Sequence, residues 1–186
     1  MSNIKVIQPS EAEGRLKEIY SRLKTQRGQI AEVHKIQSLR PESIVKHMDL
    51  YMEIMYAKSE LSRAQREMMA VVVSVTNNCN CCIEHHASAL NQFWKDDSKL
   101  DSLKKNYLRV NLNAKDLALC IFSETLTKNN EITHYKNLTQ ELKDIGYSDE
   151  AILDASLVVS YFNFVNRMVL SLGVAIEDDN GKNYKY

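Results

Sequence analysis

Residues 62–90 read SRAQREMMAVVVSVTNNCNCCIEHHASAL, a stretch that two consecutive helices explain best. The Ser-x-x-Gln pattern at Ser62 is a capping box, and it predicts a helix through Glu67 to Val75. The run Val71–Thr76 has high β propensity, but no second strand-like run lies nearby to pair with it, so we predict that it is helical. Two asparagines then form a turn, and a second helix begins at the cysteine cluster that follows them.

Apolar residues recur at helical spacing on both sides of this stretch, and this pattern predicts an all-α fold. Pro41 suits the first turn of a helix, whereas Gly146 and Gly173 suit the position just beyond a helix end. The chain has only 5 Gly and 2 Pro, too few for the many turns of a β-sandwich or barrel. The other predicted helices are one that follows a capping box at Ser10, then Ile30–Ile36, Pro41–Met55, Leu117–Leu126 capped by Asn113, Ile132–Ile145 and Ser148–Leu172.

The composition is typical of one globular domain. The 186 residues include 24 basic and 24 acidic side chains, so the formal net charge is zero, whereas a general nucleic-acid binder would show a basic excess. The N-terminus lacks the apolar core of a secretory signal, and no run approaches the roughly 18 apolar residues of a membrane span. We therefore predict a single cytoplasmic domain over residues 1–176, followed by a flexible tail over residues 177–186.

Three of the four cysteines lie within four positions, which differs from the spread of cysteines in a disulfide-stabilised secreted scaffold. On a helix with about 100° per residue, Cys79, Cys82 and His86 share one narrow face. Cys81 and His85 then lie on the opposite side, and we expect both to be packing or surface residues. The fourth cysteine, Cys120, sits in an apolar run and is predicted to lie in the core.

The face with Cys79, Cys82 and His86 suits thiol redox chemistry. A C-x-x-C pair at a helix start can close a disulfide, and both the helix N-terminus and an imidazolium favour the thiolate. A thiolate attacks a peroxide or a disulfide, and the second thiol resolves the product. His86 lies one turn after Cys82 and is placed to move its proton.

A structural metal site is the competing interpretation of the same cluster. Zinc requires four ligands in a tetrahedron, and this helix face supplies three at most. The other Cys and His residues are scattered along the chain, so we predict redox chemistry and no metal; they are Cys120, His34, His47 and His134.

The spacing of Glu67, twelve residues before Cys79, followed by C-x-x-C-x-x-x-H, resembles the alkylhydroperoxidase D-like and carboxymuconolactone decarboxylase superfamily, in particular its peroxidase-related branch. The late segments Tyr161–Arg167 and Leu172–Val174 share the resemblance, which covers roughly residues 7–176. It implies a multi-helix AhpD-like domain with the redox motif at a helix N-terminus. It also implies a homo-oligomer, a trimer or hexamer.

The resemblance further implies a role for each motif residue. Cys82 matches the peroxidatic cysteine and Cys79 the resolving one, while Glu67 and His86 match an acid–base relay. The substrate would be a hydroperoxide. No cofactor would be tightly bound, and an external dithiol such as a lipoyl group or a small redox protein would regenerate the thiols. Cys81 departs from the pattern, because relatives carry a His or an aromatic residue there, and it leaves a spare thiol beside the pair.

Two other functions also fit this sequence. One is a lactone decarboxylase, for which the C-x-x-C pair is not needed, and the other is a non-catalytic thiol redox sensor. Two structural expectations accompany them. Glu67 has apolar neighbours, so we expect it to be partly buried and paired with His86. The last helix is apolar over most of its circumference, and we expect Asn163, Asn166 and Arg167 within it to form a core polar network rather than a substrate contact.

Overall fold

The computed structural model describes residues 2–128 and 132–176, and the side chains of residues 132–136 are not described. The predicted tail, residues 177–186, and His134 therefore lie outside the described side chains. Within the described part the chain forms nine α-helices, one 3₁₀ turn and no strand, which confirms the all-α prediction. The elements are α1 Gly14–Arg27, α2 Glu32–Lys35, α3 Pro41–Tyr56, α4 Arg63–Thr76, α5 Asn80–Trp94, α6 Asp97–Lys105, the 3₁₀ turn Tyr107–Arg109, α7 Ala114–Lys128, α8 Ile132–Asp144 and α9 Asp149–Leu172.

Helix α4 is the centre of the fold. It packs against α5, α7 and α9, and every residue from Arg66 to Ser74 is buried. A helix that is enclosed on all sides has no need of a polar face, and this explains why the β-prone valines of α4 remain helical. Buried Arg66 donates to the carbonyl oxygens of Ile54 and Ala57 at 2.9 and 2.8 Å, so the end of α3 is fastened to α4.

Most of the predicted helix ends are confirmed. Ser62 and Gln65 form the capping box of α4, and the Ser148 hydroxyl accepts a hydrogen bond from the Ala151 N–H at the start of α9. Gly146 has a φ of 91° and follows α8, where the Tyr147 N–H closes the helix on the Leu142 carbonyl at 3.0 Å.

The N-terminal region differs from its prediction. The capping box at Ser10 does not form, because the Glu11 carboxylate accepts from the Gln8 N–H and holds a turn there, so α1 begins at Gly14. The segment Ile30–Ile36 is also shorter than expected, with one helical turn in α2 followed by turns that lead to Pro41.

Helix α9 combines a buried face with an exposed apolar one. Leu153 and Phe164 are 58% and 53% exposed, so the core covers only part of the circumference of this apolar helix. Its length and hydropathy would also allow it to cross a membrane, but buried core helices of soluble proteins meet the same criterion.

The predicted polar network along α9 forms, but only part of it lies in the core, because Arg167 is exposed. The Asn163 side chain accepts from Asn77 at 3.0 Å and from Arg167 at 2.7 Å, and it donates to Thr127 at 3.0 Å. Buried Asn166 accepts from the Ser74 hydroxyl at 3.4 Å. These contacts join α9 to α4 and α7 and fix the orientation of the helix that carries part of the candidate site.

Candidate active site

The connection between α4 and α5 places the cysteine motif at a helix N-terminus. Asn78 adopts a left-handed conformation with a φ of 55°, which asparagine tolerates better than most residues. The Cys79 N–H then donates to the Ser74 carbonyl at 2.9 Å, so the chain reverses tightly into α5. Cys79 is the N-cap residue of α5 and Cys82 lies in its first turn. The predicted position of the motif is confirmed.

The two motif thiols are in contact and reduced. Their sulfurs lie 2.8 Å apart, beyond the roughly 2.05 Å of a disulfide bond, and both residues are buried. A hydrogen bond from Cys82 stabilises the Cys79 thiolate and lowers the pKa of Cys79, while burial opposes this shift. The same contact, together with burial, raises the pKa of Cys82. The pair therefore loses its first proton readily and holds the second one tightly.

Glu67 is entirely buried in α4, and both of its carboxylate oxygens have a hydrogen-bond partner. Its Oε2 lies 2.7 Å from Nδ1 of His86, and its Oε1 accepts from Nε of Arg63 at 3.0 Å and also from Nη2. Burial raises the pKa of Glu67, but the charges and hydrogen bonds of His86 and Arg63 outweigh it and leave the pKa below its ordinary value. An ionised carboxylate can only accept, so Nδ1 of His86 carries a proton and Nε2 is left with the lone pair in the neutral ring.

Arg63 is a residue of this site that the sequence did not predict. Its guanidinium also donates to the Tyr51 hydroxyl at 3.2 Å and lies 3.8 Å from the ring centre of Tyr56. The positions of Arg63 and Glu67, four residues apart on one helix, were a signal that could have shown the pair. The expected burial of Glu67 and its pairing with His86 are confirmed.

A cavity of about 80 Å³ opens beside Cys82 and His86. Its wall comes from the segment around α2, from α3, from the first turns of α5 and from α9. The lining residues include Val33, His34, His47, Tyr51, Cys81, Cys82, His85, His86, Tyr161, Phe162, Val165 and Val169. Cys79 is not among the lining residues that the structure describes, so it contacts Cys82 from behind.

The prediction that Cys81 and His85 lie on the side of α5 opposite Cys82 and His86 is wrong. Both line the same cavity as Cys82 and His86. On the helix the four side chains occupy one continuous arc, from about 200° to about 340° relative to Cys79, and the cavity faces the whole of it. Cys120, in contrast, is a fully buried core residue of α7 as predicted, and burial raises the pKa of its thiol.

The fold also brings together two histidines that are scattered in the sequence. His34 and His47 both line the cavity, with ring centres 5.6 Å apart. The position of His47 between Ile44 and Tyr51 on the buried face of α3 was the signal that could have placed it in the interior. No group of three or more Cys, His, Asp and Glu residues in the described ranges has a metal-binding arrangement.

Comparison with known proteins finds a family match over the part of the chain that carries this site. Residues 44–101, which include Glu67, Cys79, Cys82 and His86, match the carboxymuconolactone decarboxylase family. The structure of an alkylhydroperoxidase AhpD core, an uncharacterized peroxidase-related protein from Ralstonia eutropha JMP134, is similar with a TM-score of 0.81 and 21% identity over 96% of this chain and 94% of that one. The chain has the all-α fold of this AhpD core.

Other solved structures are similar over nearly the whole chain. An uncharacterized peroxidase-related protein from Silicibacter sp. TM1040 has a TM-score of 0.81 and 24% identity over 98% of both chains. A debrominase that carries a cysteine-to-alanine substitution, in complex with 2,3,4-tribromopyrrole, has a TM-score of 0.76 and 16% identity over 98% of this chain and 97% of that one. At these identities the likeness establishes the fold. A search of curated proteins finds no significant match.

Proposed function

We propose that this protein is a cytoplasmic thiol peroxidase that reduces hydroperoxides through a Cys79/Cys82 dithiol–disulfide cycle. The observation that carries the proposal is the arrangement around one cavity. Cys82 and His86 line the cavity together, and the Cys79 sulfur lies 2.8 Å behind the Cys82 sulfur. A substrate in the cavity would meet a thiol, a base and a resolving thiol in that order.

Cys82 is the attacking thiol in this scheme, because it lines the cavity and Cys79 does not. Its pKa is raised, so its proton needs an acceptor. His86 provides one through Nε2, since Glu67 holds the proton of the ring on Nδ1. The Cys79 thiolate, whose pKa is lowered, provides a second acceptor in direct contact.

The reaction then proceeds in two steps. The Cys82 thiolate attacks the terminal oxygen of a hydroperoxide, the O–O bond breaks, and the leaving alkoxide takes the proton that His86 received. The thiolate of Cys79 next attacks the sulfur of the Cys82 sulfenic acid, forms the disulfide and releases water after protonation of the hydroxide. An external dithiol, such as a lipoyl group or a small redox protein, reduces this disulfide, so each turnover consumes one peroxide and two thiols.

The cavity supports a small and uncharged substrate. Its volume of about 80 Å³ is enough for a few small molecules of the size of water, and most of its wall is apolar or aromatic. We also propose that the protein acts as a homo-oligomer, because α9 leaves Leu153, Leu157 and Phe164 exposed and a second copy would cover them.

The test is a set of three serine variants assayed for peroxide consumption with a dithiol present. Cys82→Ser should abolish consumption while the circular dichroism spectrum is retained. Cys79→Ser should react once and stop at a sulfenic acid that dimedone traps. Cys120→Ser is the matched control, because it changes a buried cysteine outside the site, and it should retain turnover. Unchanged turnover in Cys82→Ser would contradict the proposal, and a single oxidation of the wild type without dithiol-supported turnover would indicate a redox sensor.

Reductive debromination is a second candidate, favoured by the aromatic rings that line the cavity beside Cys82 and by the similar fold of the debrominase. The same two thiols would balance this reaction, in which an aryl bromide becomes the arene, the pair becomes a disulfide and bromide is released. The test is bromide release from 2,3,4-tribromopyrrole by the wild type and Cys82→Ser. Release by the wild type without peroxide consumption would favour this candidate.

A further inference from the structure

His47 lies in the wall of the cavity that holds Cys82, and the scheme above does not use it. It projects from α3, is buried, and packs edge-on against Tyr161 and Phe164 with ring centres 5.6 and 6.1 Å away. Burial lowers the pKa of His47 from its ordinary 6.5 to about 4, so the ring is neutral near pH 7. A neutral imidazole has one nitrogen that donates and one that accepts, and the neighbours decide which is which.

Gln37 determines which ring nitrogen of His47 donates and which accepts. Its Nε2 lies 2.8 Å from Nδ1 of His47 and also donates to the Val33 carbonyl oxygen at 2.8 Å. A carbonyl oxygen can only accept, so the Gln37 atom between these two partners is the amide nitrogen. Nδ1 of His47 therefore accepts a hydrogen bond from Gln37. The proton of the neutral ring must lie on Nε2.

The Nε2–H group of His47 has no hydrogen-bond acceptor among the residues that the structure describes. Its ring lines the same cavity as Cys82 and His86, where a molecule bound beside Cys82 can contact it. A ligand with an acceptor oxygen would therefore satisfy this donor. The hydroperoxide of the proposed reaction carries two such oxygens, and one of them gains negative charge as the O–O bond breaks.

We propose that the Nε2–H of His47 hydrogen-bonds the alkoxy oxygen of the hydroperoxide and stabilises the alkoxide that leaves when Cys82 attacks. This inference rests on the proposed function. His47 retains its proton throughout, while His86 transfers the proton of Cys82 to the alkoxide, so the balance of the reaction is unchanged. Gln37 is a positioning residue, because it acts on the substrate only through the proton position of His47.

The main test compares two reactions of Cys82 in the full-length protein. Reduced wild type and His47→Phe are mixed with tert-butyl hydroperoxide, and Cys79–Cys82 disulfide formation is followed by quenching and mass spectrometry. The matched reaction is alkylation of Cys82 by iodoacetamide, which needs the same thiolate and the same access but has no leaving oxygen. His47→Phe should slow the oxidation by roughly 10²- to 10³-fold, as expected for loss of one oxyanion donor, and should leave the alkylation rate unchanged.

Gln37→Leu is the second variant, because it keeps His47 but removes the hydrogen bond that fixes its proton. It should slow the oxidation less than His47→Phe does. Nitrogen-15 spectra of the imidazoles provide a readout that does not depend on activity. The wild type should show His47 protonated on Nε2, and Gln37→Leu should show a population protonated on Nδ1.

The outcomes separate this inference from the function on which it rests. If peroxide oxidises the wild type and His47→Phe at equal rates, or if oxidation and alkylation slow equally, the role of His47 is overturned and the peroxidase proposal stands. A wild-type spectrum with the proton on Nδ1 overturns it as well, even if His47→Phe fails to fold. If peroxide does not oxidise the wild-type pair at all, both proposals fail.

Discussion

His86 and His47 border the same cavity but hold their protons on opposite nitrogens. Nδ1 of His86 faces the Glu67 carboxylate at 2.7 Å, whereas Nδ1 of His47 faces the Gln37 amide nitrogen at 2.8 Å. The carboxylate can only accept and the amide nitrogen can only donate. His86 is therefore left with a lone pair on Nε2, and His47 with a proton there.

In the proposed mechanism, one cavity holds a proton acceptor and a proton donor built from the same side chain. The ring itself is identical in the two cases, and the partner behind it sets the role. Both partners lie away from the substrate. The comparison can thus be tested by changing the partners and leaving the histidines intact.

The largest effect is expected from Glu67→Gln, which would place the ring proton of His86 on Nε2, as in His47. Arg63 can only donate, so the oxygen of the introduced amide must face Arg63 and its NH₂ group must face His86. The NH₂ group then donates to Nδ1 and moves the ring proton to Nε2, where it removes the lone pair of the proposed base. We expect disulfide formation with peroxide to slow by roughly 10²- to 10⁴-fold, the usual range for loss of a general base.

Two measurements check this prediction. Nitrogen-15 spectra of Glu67→Gln should show the His86 proton moved from Nδ1 to Nε2. The matched control is Glu124→Gln on α7, where the carboxylate contacts Tyr107 and Lys128 outside the cavity, and its oxidation rate should equal that of the wild type. A wild-type rate in Glu67→Gln would show that His86 is not the base.

The second prediction concerns stability, since only the neutral form of His47 fits its buried site. Its folded pKa of about 4 lies below the ordinary 6.5, so the unfolded chain binds more protons between these values. The contribution of His47 to stability is thus present above pH 6.5 and is lost as the pH falls toward 4. A change from pH 7 to pH 5 should therefore reduce the free energy of unfolding by about 2 kcal/mol through the titration of His47.

Urea unfolding of the wild type and His47→Phe at pH 7 and pH 5 measures this difference. Other groups titrate in both proteins. The loss of unfolding free energy from pH 7 to pH 5 should therefore be larger in the wild type than in His47→Phe, and the difference between the two losses is the contribution of His47. Gln37→Leu should keep most of this pH dependence, because burial and not the hydrogen bond causes the shift. Equal losses in the wild type and His47→Phe would show that the ring is not held neutral by the fold.

The sequence was sufficient where a local rule decided the structure. The capping box at Ser62 and the spacing from Glu67 to His86 depend on residues within one or two helices, and both predictions agree with the structure. The valine run was harder, because its helical state depends on burial by α5, α7 and α9. The cap at Ser10 failed because a competing local hydrogen bond of Glu11 formed a turn.

The half of the site that lies outside α4 and α5 could not be predicted in the same way. His34 and His47 come from separate elements, and only tertiary packing brings their rings within 5.6 Å. Helical angles placed Cys81 and His85 correctly around α5, but they do not show how wide a cavity the helix faces. Angular position on one helix gives direction, and the surrounding helices determine what lies in that direction.

The smallest effect is expected from Arg63→Lys, which changes a partner of Glu67 and leaves Glu67 and His86 themselves unchanged. Arg63 contacts Glu67 through two nitrogens, and lysine would keep the charge but replace them with one ammonium group. Glu67 should stay ionised and His86 should keep its proton on Nδ1, so the nitrogen-15 spectrum should match the wild type. Loss of one hydrogen bond to Glu67 should raise the activation free energy of disulfide formation by about 1 kcal/mol, which slows the reaction roughly fivefold. If Arg63→Lys slowed disulfide formation as much as Glu67→Gln does, Arg63, and not the carboxylate alone, would determine where His86 holds its proton.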